Sequence, residues 1–208
     1  MALLLVAGLV FHALAEAVMG REAITVLDLQ VAHWFNAHAF EPLTSLMYAV
    51  SALHSVVGMI LLFCGLAWYL WRQQARYWLL ALAFAVPGGM VLNVALKYFF
   101  QRTRPVFDDP LVTLATYSFP SGHTTAATCF YGLLVSYLVI ARPAWSVRLG
   151  TVAACLAMVL LVAFSRVYLG AHYVSDVLAA MAESVAWLAV CITAISTLRR
   201  RREGRALR

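Results

Sequence analysis

Ser165-Arg-Val-Tyr-Leu-Gly-Ala-His-Tyr-Val-Ser-Asp176 joins two apolar runs, Val147 to Tyr168 and Val174 to Leu198. A helix needs roughly 20 residues to cross a hydrocarbon core about 30 Å thick, and each run is long enough. The stretch is therefore a turn between two membrane crossings. It gathers Arg166, His172 and Asp176 in a chain of 208 residues that is 64% hydrophobic and 12% charged, with a mean hydropathy of +0.85. That composition is a membrane protein's, and ionisable side chains at the end of a crossing are functional candidates in such a chain.

Outward from this turn, three further runs reach crossing length: Leu46 to Trp71, Tyr77 to Phe100 and Thr124 to Ile140. Ala2 to Met19 is shorter and carries His12 and Glu16. Ala13-Leu14-Ala15 within it resembles a signal-peptide cleavage site, but no Lys or Arg precedes the apolar run as an n-region requires. We expect a first crossing there. Ile24, Leu27, Val31 and Trp34 then recur at helical spacing among Glu22, Asp28 and His33, which predicts an amphipathic helix on the outer surface, with His33 and His38 facing solvent. The expected fold is all-α: a polytopic bundle of six transmembrane helices with a short interfacial helix after the first crossing. Residues 1–208 form one domain.

Net charge +6 and a pI near 9.4 raise the possibility of a nucleic-acid partner. The distribution of charge argues for an orientation signal instead. With a cytoplasmic N-terminus, alternating crossings put Arg72, Arg76, Arg142, Arg148 and the tail arginines (199, 200, 201, 202, 205 and 208) on one side, ten of the fifteen basic residues. By the positive-inside rule that side is the cytoplasm. The C-terminus is then cytoplasmic, the tail touches anionic lipid, and no nucleic acid is implied. Arg21, Lys97, Arg102, Arg104 and Arg166 face outward. Cys64, Cys129, Cys155 and Cys191 all fall in apolar runs without Cys-x-x-Cys spacing, so they are read as small buried hydrophobes.

The outward cations coincide with three short motifs. Lys97 to Pro105 reads KYFFQRTRP, Pro120 to His123 reads PSGH, and the third is the opening turn. Topology brings all three to one side of the membrane. Lys97, Arg104 and Arg166 supply positive charge, and guanidinium forks match phosphate oxygens. Ser121 is placed to cap the following helix, whose first N–H groups point at an anion. His172 and Asp176 stand one helical turn apart if the last helix starts early enough. The carboxylate would orient the ring and leave its second nitrogen as nucleophile, with His123 as the acid that protonates a leaving oxygen. Pro87-Gly88-Gly89 predicts a kink and close packing within the third crossing. His54 and Glu183 are ionisable groups in apolar segments and should face the bundle interior.

Together these motifs resemble the type 2 phosphatidic acid phosphatase superfamily, also called the lipid phosphate phosphatases. The pattern is K-x6-R-P, P-S-G-H and S-R-x5-H-x3-D, carried here by Lys97, Arg104 and Pro105; Pro120, Ser121, Gly122 and His123; and Ser165, Arg166, His172 and Asp176. It spans Lys97 to Asp176, complete and in order. The resemblance implies a metal-independent phosphatase without cofactor. His172 would be the nucleophile, Asp176 its partner and His123 the general acid, while Lys97, Arg104, Ser121, Gly122 and Arg166 bind the phosphoryl group. Asp108 and Asp109 invite a Mg²⁺ site but lack further oxygen ligands.

Within this resemblance the expected partners are lipid phosphates or diphosphates and the lipids around the bundle. The expected place is a bacterial cell (inner) membrane, with the site facing the exterior. An outward site suits undecaprenyl diphosphate, and phosphatidylglycerophosphate and phosphatidic acid are alternatives in the same superfamily. Vanadium haloperoxidases share the motifs but are soluble, which the apolar crossings oppose. A non-catalytic lipid-phosphate binder or transporter would need neither His123 nor the His172–Asp176 pair.

Overall fold

The computed structural model describes residues 2–141 and 144–206, with the side chains of 203–206 excepted. Arg142 and Arg208 lie outside the described residues, and the side chain of Arg205 is not described. Among the described residues every regular element is helical: α1 Ala2–Met19, α2 Ala23–Ala37, α3 Leu43–Leu53, α4 Val56–Arg72, α5 Arg76–Phe100, α6 Gly122–Ala141, α7 Trp145–Tyr168 and α8 Val174–Ala206. Five of these, α1, α5, α6, α7 and α8, are long and apolar enough to cross a membrane, and α3 with α4 makes a sixth if the pair is one span. The chain is a multi-pass membrane protein.

The run Leu46 to Trp71, expected as one helix, is broken. α3 and α4 meet at a bend of 56°. The break falls at His54-Ser55, where Ser55 turns extended and its hydroxyl accepts from Gly58 N as an N-cap, so a new helix starts. A side chain at Gly58 would strike the Leu53 carbonyl oxygen, so glycine permits the two helices to meet this closely.

α5, α6 and α8 form the centre. Leu82, Ala85, Ala126, Cys129, Leu133, Leu188 and Cys191 interlock there, with Leu66 and Leu70 of α4. Helices in lipid associate by close packing of small residues rather than by a hydrophobic drive, and the sequence supplies those contacts. α5 continues through Pro87, and Gly88 and Gly89 let it lie against Trp187 of α8 and Cys129 of α6. α1 packs on α8 through Ala15 and Val18 against Ala179, so this segment is an integral part of the bundle. Cys129, Cys155 and Cys191 are buried as expected, whereas Cys64 is exposed on the outer face of α4.

α2 forms where expected and leaves His33 and His38 exposed, but its inward face differs from the apolar stripe. Ile24 and Val31 of that stripe pack inward, Leu27 and Trp34 are exposed, and the residues it buries are Asp28 and Ala32. The reason is electrostatic: Asp28 pairs with a buried arginine described below. Helix directions place Arg72, Arg76, Arg148 and Arg199–Arg202 at the end of the bundle opposite that arginine.

Candidate active site

The site end is built from the C-terminal ends of α5 and α7, the N-terminal ends of α6 and α8, and the non-helical segment 101–121 between α5 and α6. Gln101 adopts a left-handed conformation that ends α5 (φ 49°) and turns the chain over the site. Backbone bonds then tie the segment down. Ser118 N donates to Arg102 O at 2.8 Å, and Ser121 N donates to Asp176 O at 3.1 Å, which joins the PSGH turn to α8.

His172 does not lie on a helix. The condition for a one-turn spacing, an early start of the last helix, is not met, because α8 begins at Val174, where the apolar run begins. The residues before it form a tight turn in which Ala171 N and His172 N both donate to Arg166 O, at 3.0 and 3.2 Å. Gly170 permits this turn with φ +67°, and a β-carbon there would sit 2.6 Å from the Phe107 ring. Gly170→Ala therefore meets both backbone strain and a clash. We expect a stability loss of about 1–2 kcal/mol and a fall in kcat as His172 moves, measured by thermal melting in detergent beside turnover.

The imidazole is 2% exposed and lies between Asp176 and Arg104. Its Nδ1 faces Asp176 Oδ2 at 3.4 Å, a long contact because Oδ2 also accepts from the Ser118 hydroxyl and from Tyr173 N. Its Nε2 stands 3.2 Å from Arg104 Nη1. Burial pushes the His172 pKa well below the ordinary histidine value, against the pull of Asp176, and Lys97 and Arg104 add to the effect. The ring is thus neutral, and the nitrogen remote from the carboxylate carries a lone pair beside a guanidinium.

Lys97, Arg104 and Arg166 converge, close enough for their charges to act on one another. Lys97 Nζ donates to Tyr117 O (2.8 Å) and Ser118 O (3.3 Å). Arg104 is oriented by carbonyls of Thr116, Tyr117 and Ala171 and by the Thr116 hydroxyl. Burial lowers its pKa, in part offset by Asp176. Arg166, 3% exposed, donates Nη1 to the Ser51 hydroxyl of α3, and its Nε has no partner. Among the described residues none of the three is in an ion pair. The carboxylates nearby, Asp28 and Asp176, are both bound by Arg102. A buried guanidinium beside two half-buried cations, none with an ion-pair partner among the described residues, is costly, and the arrangement is complementary to a phosphate.

Ser121 and Gly122 sit beside these cations at the start of α6, whose first-turn N–H groups have no intrahelical acceptor. The Ser121 hydroxyl, expected as a helix cap, accepts instead from the Thr124 hydroxyl at 3.1 Å. His123 is within electrostatic range of Arg166, His172, His54 and Arg104. It also lines an apolar cavity of about 500 Å³ between α4, α5 and α6, with His54, Met59, Phe63, Val86 and Met90. His54 is internally satisfied there, with Nδ1 on Val50 O at 2.9 Å and Nε2 on Tyr131 Oη at 3.0 Å.

The structure thus brings together every candidate residue of the three motifs and leaves Asp108 and Asp109 exposed in the connecting loop. Sequence reasoning missed Ser51, Asn93, Ser118 and Ser175 and the part played by Asp28 and Arg102. Asn93 Nδ2 donates to Thr125 Oγ1 at 2.9 Å and approaches Glu183 Oε2 at 3.5 Å, so Glu183 lies beneath the PSGH turn, within electrostatic range of Lys97. A polar residue inside an apolar run was the available signal for Asn93.

Residues 76–200 match the description "PAP2 superfamily", over half of the chain and all three motifs. The chain belongs to the PAP2 superfamily. Phosphatidylglycerophosphatase B of Bacillus subtilis (strain 168) is 36% identical over 120 residues, 57% of this chain and 58% of that protein. Lipid phosphate phosphatase delta of Arabidopsis thaliana is 39% identical over 80 residues, 37% of this chain and 19% of that protein. The chain's matches therefore take in less than two thirds of these curated relatives. Among solved structures, the transmembrane PAP2 type phosphatidylglycerolphosphate phosphatase from Bacillus subtilis superposes with a TM-score of 0.79 at 26% identity, covering 95% of this chain and 98% of that one. Aquifex aeolicus LpxE superposes with a TM-score of 0.65 at 22% identity, covering 80% and 95%, a likeness of fold.

Proposed function

We propose that this PAP2 protein is a membrane lipid phosphatase that works through a phosphohistidine on His172. The observation that carries the reading is the buried, neutral imidazole whose Nε2 stands beside a cluster of three cations lacking an anion. In this reading Lys97, Arg104 and Arg166, with Ser121, Gly122 and the first N–H groups of α6, hold the phosphoryl oxygens. His172 Nε2 attacks phosphorus as the bond to the lipid oxygen breaks, and His123 gives that oxygen its proton. Asp176 balances the charge that the ring gains. Water, deprotonated by His123, then attacks phosphorus, the P–N bond breaks and phosphate leaves. Water resupplies the proton that His123 gives to the lipid oxygen, so the two half-reactions close the cycle, with the three cations offsetting the charge on the phosphoryl oxygens.

The apolar cavity beside His123 would receive the lipid chain as it leaves the phosphate. Two substrates fit. Phosphatidylglycerophosphate is favoured by the similarity to the Bacillus proteins. Undecaprenyl diphosphate is favoured by the near absence of unsatisfied polar groups in the cavity wall, since an isoprenoid carries no oxygen beyond its phosphate. The ten basic residues assigned to one side by sequence support a site on the outer face of the membrane, taken here as a cell (inner) membrane, with the C-terminus in the cytoplasm. Phosphate release by the purified protein in EDTA, with both lipids and phosphatidic acid compared, tests the reading. Release from at least one, with a clear order in kcat/KM, is expected; no release from any would favour a binder or transporter.

A further inference from the structure

Arg102 is 11% exposed and bridges two fully buried carboxylates. Nη1 donates to Asp176 Oδ1 at 2.6 Å and to Ser175 Oγ at 2.7 Å, and Nη2 donates to Asp28 Oδ2 at 2.8 Å. The guanidinium also lies 4.2 Å over the Tyr173 ring. Burial alone would lower its pKa; Asp176 and Asp28 outweigh that and raise it. Asp28 reaches further. Its Oδ1 accepts from Ser175 N at 3.0 Å, one of the donors that the start of α8 leaves without an intrahelical partner, and the Ser175 hydroxyl donates to Oδ2. Asp28 thus caps α8 from another helix.

Asp28 belongs to α2, whose exposed side carries Val26, Leu27, Leu29 and Trp34. A carboxylate buried beneath an apolar surface helix is expensive unless its pairing serves a purpose. Three of the five N–H donors of this arginine go to Asp28, Ser175 and Asp176, which commits the side chain to the two carboxylates. We infer that Asp28 and Arg102 are positioning residues, through which the surface helix α2 fixes the orientation and charge of Asp176 against His172. The inference rests on the phosphohistidine reading for its catalytic consequence.

Its electrostatic consequence can be measured separately. His172 is faced by Lys97 of α5, Arg104 of the connecting segment, His123 of α6 and Asp176 of α8, and Arg102 acts on it through Asp176. Among the described residues Asp176 is the one carboxylate in direct contact with the ring. Arg102 neutralises part of its charge. Removing the guanidinium gives His172 the full carboxylate, which favours the imidazolium, so the protonation midpoint rises. The protonated ring cannot attack, so the acid limb of kcat/KM moves to higher pH.

The experiment compares wild type, Arg102→Gln, Asp28→Asn and the double variant in detergent. Arg102→Gln should raise the acid limb by about one pH unit, a position independent of how much protein remains folded. Asp28→Asn should lower kcat about tenfold with KM within about twofold, and the double variant should lose no more than Arg102→Gln alone. An unmoved limb, or losses that multiply, would overturn the inference. Histidine-labelled NMR, with His172 assigned through His172→Gln, follows the same midpoint without turnover. A midpoint that rises in Arg102→Gln while wild type releases no phosphate would sustain the linkage and defeat the phosphatase reading.

Discussion

His172→Ala is expected to abolish phosphate release, with turnover reduced about 10⁴-fold or more, while the helices and the cation cluster remain. The side chain is fully enclosed, but its loss unpairs little. Nδ1 makes only a long contact to Asp176, whose oxygens keep Arg102, Ser118 and Tyr173 N, and Nε2 is one of several partners of Arg104. Lys97, Arg104 and Arg166 should therefore still bind phosphate. Purified variant and wild type assayed side by side, with melting temperatures in the presence of inorganic phosphate, give the check. Turnover that survives the substitution would remove the proposed nucleophile.

The second large effect concerns His123, and its size should depend on the leaving group. A lipid alkoxide leaves poorly without a proton, and general acids contribute roughly 10² to 10⁴-fold to such steps. His123→Ala should lose that much on phosphatidylglycerophosphate. On undecaprenyl diphosphate the leaving group is a phosphate monoester, already a weak base, and on p-nitrophenyl phosphate it is a phenolate. Losses of about tenfold or less are expected there, because little proton transfer is left to lose. Equal losses on all three would assign His123 to binding rather than to acid catalysis. The contrast also bears on the substrate, since an enzyme tuned to a diphosphate needs its acid less.

Much of this was legible because membrane crossing imposes a length and a polarity that sequence displays directly. α5, α6, α7 and α8 fall close to the apolar runs, and the motif residues at their ends meet in the structure as topology requires. What was hidden depended on tertiary electrostatics. Asp28 read as the wet side of an amphipathic helix, yet Arg102 turns it inward; helical periodicity registers apolar stripes and says nothing of a buried ion pair. Arg102 stood two residues from Arg104, and sequence alone could not divide their tasks. The break at His54 was obscured because both halves are apolar, and only Ser55 and Gly58 mark the new start. Whether His172 precedes or begins the last helix stayed open in the sequence, because a spacing of four reads the same in a turn closed by Gly170.

The most direct test of the central claim is to trap the phosphoenzyme. Purified protein mixed with ³²P-labelled lipid substrate is quenched in alkali, where a phosphohistidine survives and an acyl phosphate does not, and the label is mapped by peptide. The account predicts label on the peptide containing His172, absent from His172→Ala and accumulating in His123→Ala when a good leaving group is used. Turnover without a labelled intermediate, or label on any other residue, would contradict it.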